Sequence, residues 1–170
     1  MRILFVSLFV VLLDQISKSL VRYFFPYGKA HNVLGDYIRL TYIENPGMAF
    51  GIQVGGAAFF TVFASLATVV VFIFIVRART EKTSLRLSLA LIFGGAIGNL
   101  IDRFLYGKVV DFIDVGVGQT RWPVFNLADT AVTIGMIILV SLVMFDKSEK
   151  SPEQEEITEN ETRQLFGNRT

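Results

Sequence analysis

Four long apolar stretches constrain this 170-residue chain more than any other feature of its sequence. The second stretch has 21 residues without a charged side chain, enough for a helix to cross a hydrocarbon core of about 30 Å. The fourth contains a single charge, Asp129. The sequence therefore predicts an all-α integral membrane protein with four transmembrane helices. The stretches cover residues 3–21, 56–76, 87–101 and 124–145.

The residue types that are scarce exclude several kinds of functional site. The chain has no Cys and one His, His31, so disulfides, thiol catalysis, thiolate metal sites and multi-histidine metal sites are excluded. The formal net charge is +1, which does not indicate binding to nucleic acid. We therefore expect no metal ion, no other cofactor and no nucleic-acid partner.

The distribution of basic residues predicts the orientation in the membrane. The loop at residues 77–86 contains four Lys or Arg and one acidic residue, Glu81. Because short basic loops stay in the cytoplasm, this loop and, by alternation, both termini are predicted to be cytoplasmic. Segments 22–55 and 102–123 then face outward. The β-branched and aromatic residues at 37–43 predict a short strand or hairpin in the first of them.

The composition of the chain changes at residue 146. Residues 1–145 are predicted to form a four-helix membrane domain, with an extracytoplasmic segment at about 22–55. Residues 146–170 hold seven acidic and four basic side chains and few apolar ones. A segment of that composition cannot bury enough apolar surface to fold alone, so we expect a disordered, acidic cytoplasmic tail.

Ionisable side chains within a membrane-spanning helix are costly, so each of them is a candidate for function. Asp14 and Lys18 are four residues apart in the first stretch and share a helix face, where they can form an ion pair. The role of the pair stays open between a structural salt bridge and the binding of a polar group of a ligand. The two charges also argue against a removable signal peptide, because they occupy the place of its small-residue cleavage site.

A second set of small and polar residues lies at the C-terminal end of the third stretch. This end of the stretch is predicted to face outward. Gly94 and Gly98 have the spacing that lets helices approach closely, which is a structural explanation. Close packing does not explain the polar residues that follow, Asn99, Asp102 and Arg103. We therefore predict a polar site at this end of the helix.

Three further carboxylates, Asp111, Asp114 and Asp129, lie near the same predicted face. Asp129 is about five residues into the fourth stretch, roughly 7 Å along its axis. Two carboxylates at an apolar interface titrate apart, so one can be protonated while the other is ionised. Such a pair can activate water and protonate a carbonyl oxygen. Asp114 is the weaker candidate, and spacing alone does not show that Asp111 and Asp129 meet.

An ion-coupled transporter is the alternative, in which Asp14, Asp111 or Asp129 would bind protons or cations. The polar residues gather at one membrane face rather than forming a path, and the sequence has no visible internal repeat. A peptidase built on Ser17 and Lys18 is disfavoured, because adjacent helical residues point about 100° apart. The residue types and their spacing alone leave both a hydrolase with two carboxylates and a transporter open.

Five motifs together resemble the lipoprotein signal peptidase family, also called signal peptidase II. Each motif alone is weak, but their order and their placement on four predicted spans are specific. Pro46 departs from the family pattern, which more often has Thr there. The motifs are DQISK at 14–18, NPGMAF at 45–50, GGAIGNLIDR at 94–103, VVDFI at 109–113 and FNLAD at 125–129.

The resemblance implies a membrane-embedded aspartic endopeptidase that removes the signal peptide from bacterial prolipoproteins, just before the diacylglyceryl-modified cysteine. By motif, its catalytic aspartates correspond to Asp111 and Asp129, and structural roles fall to Gly94, Gly98 and Asp102. The implied partners are diacylglyceryl-modified prolipoproteins, membrane lipid and globomycin-type inhibitors, and we expect a monomer in the bacterial cytoplasmic (inner) membrane. The residues implied to line the substrate and inhibitor pocket are Asp14, Lys18, Asn45, Asn99, Arg103 and Asn126.

Overall fold

The structure, a computed structural model, describes residues 2–47 and 56–145. Within them are four helices long and apolar enough to cross a membrane, so the predicted number of spans is confirmed. The contacts discussed below lie in the compact unit that ends at Val140. The predicted tail, residues 146–170, and residues 48–50 of the NPGMAF motif lie outside the described residues. The helices are α1 (Leu4–Phe24), α2 (Gly56–Arg77), α3 (Thr83–Tyr106) and α4 (Leu127–Phe145).

Two helices have ends that differ from the predicted ones. α3 continues past both ends of the apolar stretch and includes Arg86 and Arg103, whose long side chains can reach from the helix to a membrane surface. α4 begins at Leu127 instead of residue 124, so Asp129 is its third residue. The Asp129 carboxylate therefore belongs to the first turn, about 3 Å along the helix axis instead of the roughly 7 Å predicted.

α3 is the central helix and packs against both α1 and α2. A methyl group on Gly94 would come within 2.9 Å of the Ser7 carbonyl oxygen on α1. One on Gly98 would come within 2.6 Å of the Asp14 carboxylate, and Gly95 approaches α4 as closely. The small residues thus leave room both for the neighbouring helices and for a buried carboxylate.

A small antiparallel sheet accompanies the helices, with its strands paired in chain order. The strand predicted at residues 37–43 corresponds to β2. The sequence does not predict β3, because its first four residues are buried on both faces and show no alternation of apolar and polar side chains. The four predicted helices are therefore confirmed, and the predicted β-containing segment is part of a four-stranded sheet that also includes strands after α3. The strands are β1 (Ala30–Leu34), β2 (Ile38–Asn45), β3 (Val109–Val117) and β4 (Thr120–Arg121).

The sheet is joined to one end of the helices. The C-terminal ends of α1 and α3 lead into β1 and β3, and the chain enters α4 after β4. Phe125, just before α4, pairs with β3: the Ile113 N–H donates to the Phe125 carbonyl at 2.7 Å, and the Phe125 N–H donates back at 3.1 Å. This pairing holds the strand that carries Asp111 beside the first turn of the helix that carries Asp129.

Candidate active site

Asp111 of β3 and Asp129 of α4 line one cleft, of about 390 Å³, at the junction of the sheet and the helices. Asp111 is 3% exposed, whereas Asp129 is half-buried. Arg103 lines the same cleft and interacts electrostatically with both carboxylates. The structure therefore brings together two carboxylates that sequence spacing alone could not place. The other lining residues are Asn45, Gly47, Phe60, Trp122, Pro123, Val124 and Phe125.

Asn126 connects the two carboxylates. Its side-chain Nδ2 donates to Asp111 Oδ1 at 2.7 Å, and its backbone N–H donates to Asp129 Oδ2 at 3.3 Å. Its side-chain Oδ1 accepts the Asp129 N–H at 2.9 Å. The reciprocal bonds between Asn126 and Asp129 form a capping box, which fixes both the start of α4 and the orientation of the Asp129 carboxylate.

Two more asparagines donate to the carboxylates. Asn99 Nδ2 of α3 donates to Asp129 Oδ1 at 2.8 Å, and Asn45 Nδ2 of β2 donates to Asp111 Oδ2 at 3.2 Å. Asn45 Oδ1 accepts the Gly47 N–H at 2.9 Å in a tight turn through Pro46, where the positive φ of 111° at Gly47 requires glycine. Pro46 therefore stiffens a turn that holds Asn45 against Asp111.

The pKa of Asp111 is raised to about 6. The larger cause is burial, which removes water from the charged form, and the second is the negative charge of Asp129. The hydrogen bonds from Asn45 and Asn126 oppose the shift. A carboxyl group with this pKa can hold a proton near neutral pH, as an acid catalyst must.

The raised pKa predicts how stability depends on pH. Because folded Asp111 binds its proton more tightly than the unfolded chain does, its contribution to stability is fully present below about pH 4 and is lost as the pH rises through about 6. The free energy of unfolding of the wild type, relative to that of Asp111→Asn, should fall by about 2.5 kcal/mol between pH 4 and pH 7.5. Thermal unfolding in detergent at several pH values measures this difference, and parallel profiles for the two proteins would contradict it.

A buried ionic cluster lies beneath the cleft. Lys18 Nζ contacts Asp14 Oδ2 at 2.8 Å, Asp102 Oδ2 at 3.1 Å and Asn99 Oδ1 at 2.9 Å. Asp102 also pairs with Arg22 at 3.1 Å, so two carboxylates face two cations. Asp14, Lys18 and Asp102 are fully buried. The ion pair that the spacing of Asp14 and Lys18 predicts is present, and neither residue lines the cleft.

The cluster is connected to the backbone next to both cleft carboxylates. Asp14 Oδ1 accepts the N–H of Ala128, the residue before Asp129, at 3.0 Å. Asp102 Oδ2 accepts the N–H of Val110, the residue before Asp111, at 3.1 Å. Lys18 bridges Asp14 and Asp102, so one cation links the two carboxylates that bind the backbone before Asp129 and before Asp111. Substrate contact by Asp14 and Lys18 stays a prediction.

Asp114, the weaker sequence candidate, does not line the cleft. Alternate residues of a strand point to opposite faces, and Asp114 is three positions from Asp111. Its carboxylate pairs with Arg121 Nε at 2.8 Å and accepts the Thr41 hydroxyl at 3.0 Å. It therefore joins strands of the sheet.

Several residues that shape the site are not among those predicted from the sequence. Phe60 and Trp122 provide apolar cleft walls, and Arg22 and Gln15 both contact Asp102. Trp122 is the only tryptophan of the chain and adjoins the fourth apolar stretch, where interfacial aromatic residues are common, so it carried a usable signal. Arg22 did too, since it lies one helical turn after Lys18.

Among the residues that the structure describes, no group of three or more His, Cys, Asp or Glu side chains could hold a metal ion. The described cleft presents two carboxylates, the Asn45 amide and a guanidinium group, and two further asparagines outside the lining hold the carboxylates. Such a set can bind a peptide backbone and transfer protons.

Comparisons with known proteins identify the family of this chain. A family model described as Signal peptidase (SPase) II matches residues 6–145. The lipoprotein signal peptidase of Desulforapulum autotrophicum is 41% identical over 86% of this chain and 93% of that protein. That of Moorella thermoacetica is 39% identical over 90% of this chain and 99% of that protein. A bacterial membrane enzyme solved by the in meso method at 2.3 Å resolution is 32% identical, with a TM-score of 0.75 over 89% of this chain and 92% of the other. The chain belongs to the signal peptidase II family.

Proposed function

We propose that this chain is an aspartic endopeptidase that removes the signal peptide from bacterial prolipoproteins, cutting just before the diacylglyceryl-modified cysteine. Membership of the signal peptidase II family supports the peptidase activity and the class of substrate. The observation that carries the proposal is that Asp111 and Asp129 face one cleft and share Asn126 as a hydrogen-bond partner. Linked carboxylates of this kind can divide the roles of acid and base between them.

In the proposed reaction Asp129 is the base and Asp111 is the acid. Asp129 takes a proton from water while the water oxygen attacks the scissile carbonyl carbon, and Asp111 gives its proton to the carbonyl oxygen. The tetrahedral diol then releases the cysteine amine, which receives the proton from Asp129, and a diol hydroxyl returns a proton to Asp111. Both carboxyl groups end as they began. The raised pKa of Asp111 supports the assignment, as does the helix N-terminus beside Asp129, which stabilises negative charge.

The remaining cleft residues support binding of an apolar substrate. Phe60 and Trp122 offer apolar surface for a signal peptide or a lipid chain, while Arg103 and Asn45 offer donors to a peptide backbone. We propose that Asn99 and Asn126 hold the two carboxylates in place, since both donate to them. A transporter is not supported, because these polar groups gather at one end of the helices.

We propose that the sheet and the cleft lie at the extracytoplasmic face of the cytoplasmic (inner) membrane, and that both termini are cytoplasmic. The basic connection from α2 to α3 lies at the end of the helices away from the sheet, and basic loops are retained in the cytoplasm. Residues 1–145 would form the peptidase domain, and residues 146–170 a cytoplasmic tail. We also propose that the enzyme is a monomer and that globomycin-type inhibitors occupy the same cleft.

The absence of cysteine makes this orientation directly testable. Gln119 and Glu81 are both exposed, Gln119 in the turn before β4 and Glu81 in the basic connection. In right-side-out vesicles, a membrane-impermeant maleimide should label Gln119→Cys at once and Glu81→Cys only after lysis. The wild-type chain is the unlabelled control, and the reverse pattern would place the cleft on the wrong side for exported substrates.

A cleavage assay with purified protein tests the proposed activity. A lipidated prolipoprotein should be cut at the bond before its modified cysteine, and a globomycin-type inhibitor should block the cut. The same substrate without the diacylglyceryl group is the control, and we expect it to be cut poorly because the apolar walls have no lipid to bind. Folded protein that leaves the lipidated substrate intact would contradict the proposal, and so would equal cleavage of both substrates.

A further inference from the structure

A second cavity lies at the end of the helices away from the sheet. It has a volume of about 250 Å³ and is formed by the start of α1, the last turns of α2, the turn that follows α2 and the start of α3. Its lining differs from that of the candidate active site, because apolar side chains form the walls and the only charged groups are basic. The walls include Leu4, Phe72, Ile75 and Val76, and the charged residues are Arg79 and Arg86.

The described part of the chain does not neutralise these two arginines. Within residues 2–47 and 56–145, neither Arg79 nor Arg86 forms an ion pair with a carboxylate. Arg79 is exposed and Arg86 is half-buried. A guanidinium group offers a planar pair of donors that matches the oxygens of a phosphate. The charge of the cavity therefore favours an anionic ligand with phosphate-like oxygens.

The apolar and basic parts of the cavity lie at different positions along α2 and the turn that follows it. Phe72 lies five residues before the end of α2 at Arg77, or about 7 Å deeper along a spanning helix. Arg79 lies in the short turn that follows the end of that helix, where a spanning helix would approach the lipid headgroups. Free phosphate would use only the arginines and leave the apolar walls without a partner, whereas a phospholipid matches both parts.

We propose that this cavity binds an anionic phospholipid, with its phosphate between Arg79 and Arg86 and an acyl chain against the apolar walls. Basic pockets between transmembrane helices on the cytoplasmic side are suited to such headgroups. The proposal requires only that this end of the helices lies at a membrane surface. On the orientation proposed above, that surface is cytoplasmic, so the site is separate from the cleft and from substrate binding.

Lipid retention measured by native mass spectrometry in uncharged detergent tests this inference. Purified full-length protein should retain phosphatidylglycerol in preference to phosphatidylcholine with the same acyl chains. The double variant Arg79→Gln/Arg86→Gln should bind phosphatidylglycerol about 25-fold more weakly, because each arginine near a headgroup contributes about fivefold. Arg77→Gln is the matched control, since it removes a neighbouring positive charge that does not line the cavity, and it should bind as the wild type does.

Three outcomes would overturn the proposal. Equal weakening by Arg77→Gln would show that the lipid responds to the general basic charge of this surface and not to the cavity. Equal retention of the two lipids would remove the role of the arginine pair. Thermal stabilisation by inorganic phosphate or glycerol 3-phosphate as strong as that by the lipid would show that the apolar walls contribute nothing. Because none of these measurements uses prolipoprotein cleavage, they stand apart from the test of the proposed function.

Discussion

Replacing either Asp111 or Asp129 by Asn is expected to abolish cleavage while leaving a folded membrane protein. Asn keeps the shape of the side chain but can neither take a proton from water nor give one to the scissile carbonyl. A single proton-transfer group commonly contributes 10²- to 10⁴-fold, so each variant should lose about that factor or more in kcat. The double variant should be little worse than either single one, because the two carboxylates act as a unit. Single-turnover cleavage by purified variants measures both effects.

Asp114→Asn is the matched control for these variants. Asp114 lies on the same strand as Asp111 but pairs with Arg121 and Thr41 away from the cleft, and an Asn side chain can still accept the Arg121 hydrogen bond. We expect this variant to lose stability but to retain substantial cleavage per folded molecule. A chelator such as EDTA should have no effect on the wild type. Near-normal turnover by either cleft variant, or inhibition by EDTA, would contradict the two-aspartate mechanism.

The pH–rate profile should describe the pair of carboxylates and not either residue alone. Cleavage should fall at high pH as the acid loses its proton and at low pH as the base gains one, which gives a bell-shaped profile. Because Asp111 is the proposed acid, its pKa of about 6 should set the decline of the cleavage rate at the higher-pH side of the profile. Removing the charge of Asp129 should lower that pKa, because Asp129 contributes to raising it. A carbon-13 NMR titration of Asp111 in Asp129→Asn measures the change.

The parts of this protein that follow from local pattern could be predicted from its sequence. The second and fourth apolar stretches are each long enough to define a membrane-spanning helix by themselves. The ion pair of Asp14 and Lys18 follows from their spacing of four, and the close approach of helices at Gly94 and Gly98 follows from small-residue spacing. Each of these features depends on residues that are close in sequence, within one apolar stretch or on one face of a single helix.

The meeting of Asp111 and Asp129 could not be predicted in this way. It depends on β3, which begins with residues buried on both faces and therefore lacks the alternation of apolar and polar residues that marks a strand. It also depends on the backbone pairing of Ile113 with Phe125. Backbone N–H groups are common to nearly all residues, so a sequence carries no mark of which one a carboxylate will bind. The bonds from Ala128 to Asp14 and from Val110 to Asp102 are therefore invisible until the fold is known.

Lys18→Met is expected to destabilise the protein severely. It leaves Asp14 and Asp102 buried with Arg22 as the one remaining cation, and breaking a buried ion pair in this way typically costs about 3–5 kcal/mol. Asp14→Asn/Lys18→Met should recover part of that loss, because the introduced asparagine side chain is neutral and can still accept the Ala128 N–H. Thermal unfolding of the single and the double variant measures which of the two is more stable. Lys108→Met is the control, since Lys108 forms an exposed pair with Glu44 that should contribute less than about 1 kcal/mol.

The kinetics of the folded double variant decide what Asp14 and Lys18 do. Because Lys18 bridges Asp14 and Asp102, which bind the backbone beside the two cleft carboxylates, loss of this bridge should move Asp111 and Asp129 relative to each other. A small misplacement of reacting groups can lower the rate about 100-fold, so kcat should fall while KM for lipidated prolipoprotein stays near its wild-type value. A rise in KM with unchanged kcat would instead support the direct substrate contact that the family resemblance implies. A double variant no more stable than Lys18→Met would contradict the role of Lys18 in neutralising the two buried carboxylates.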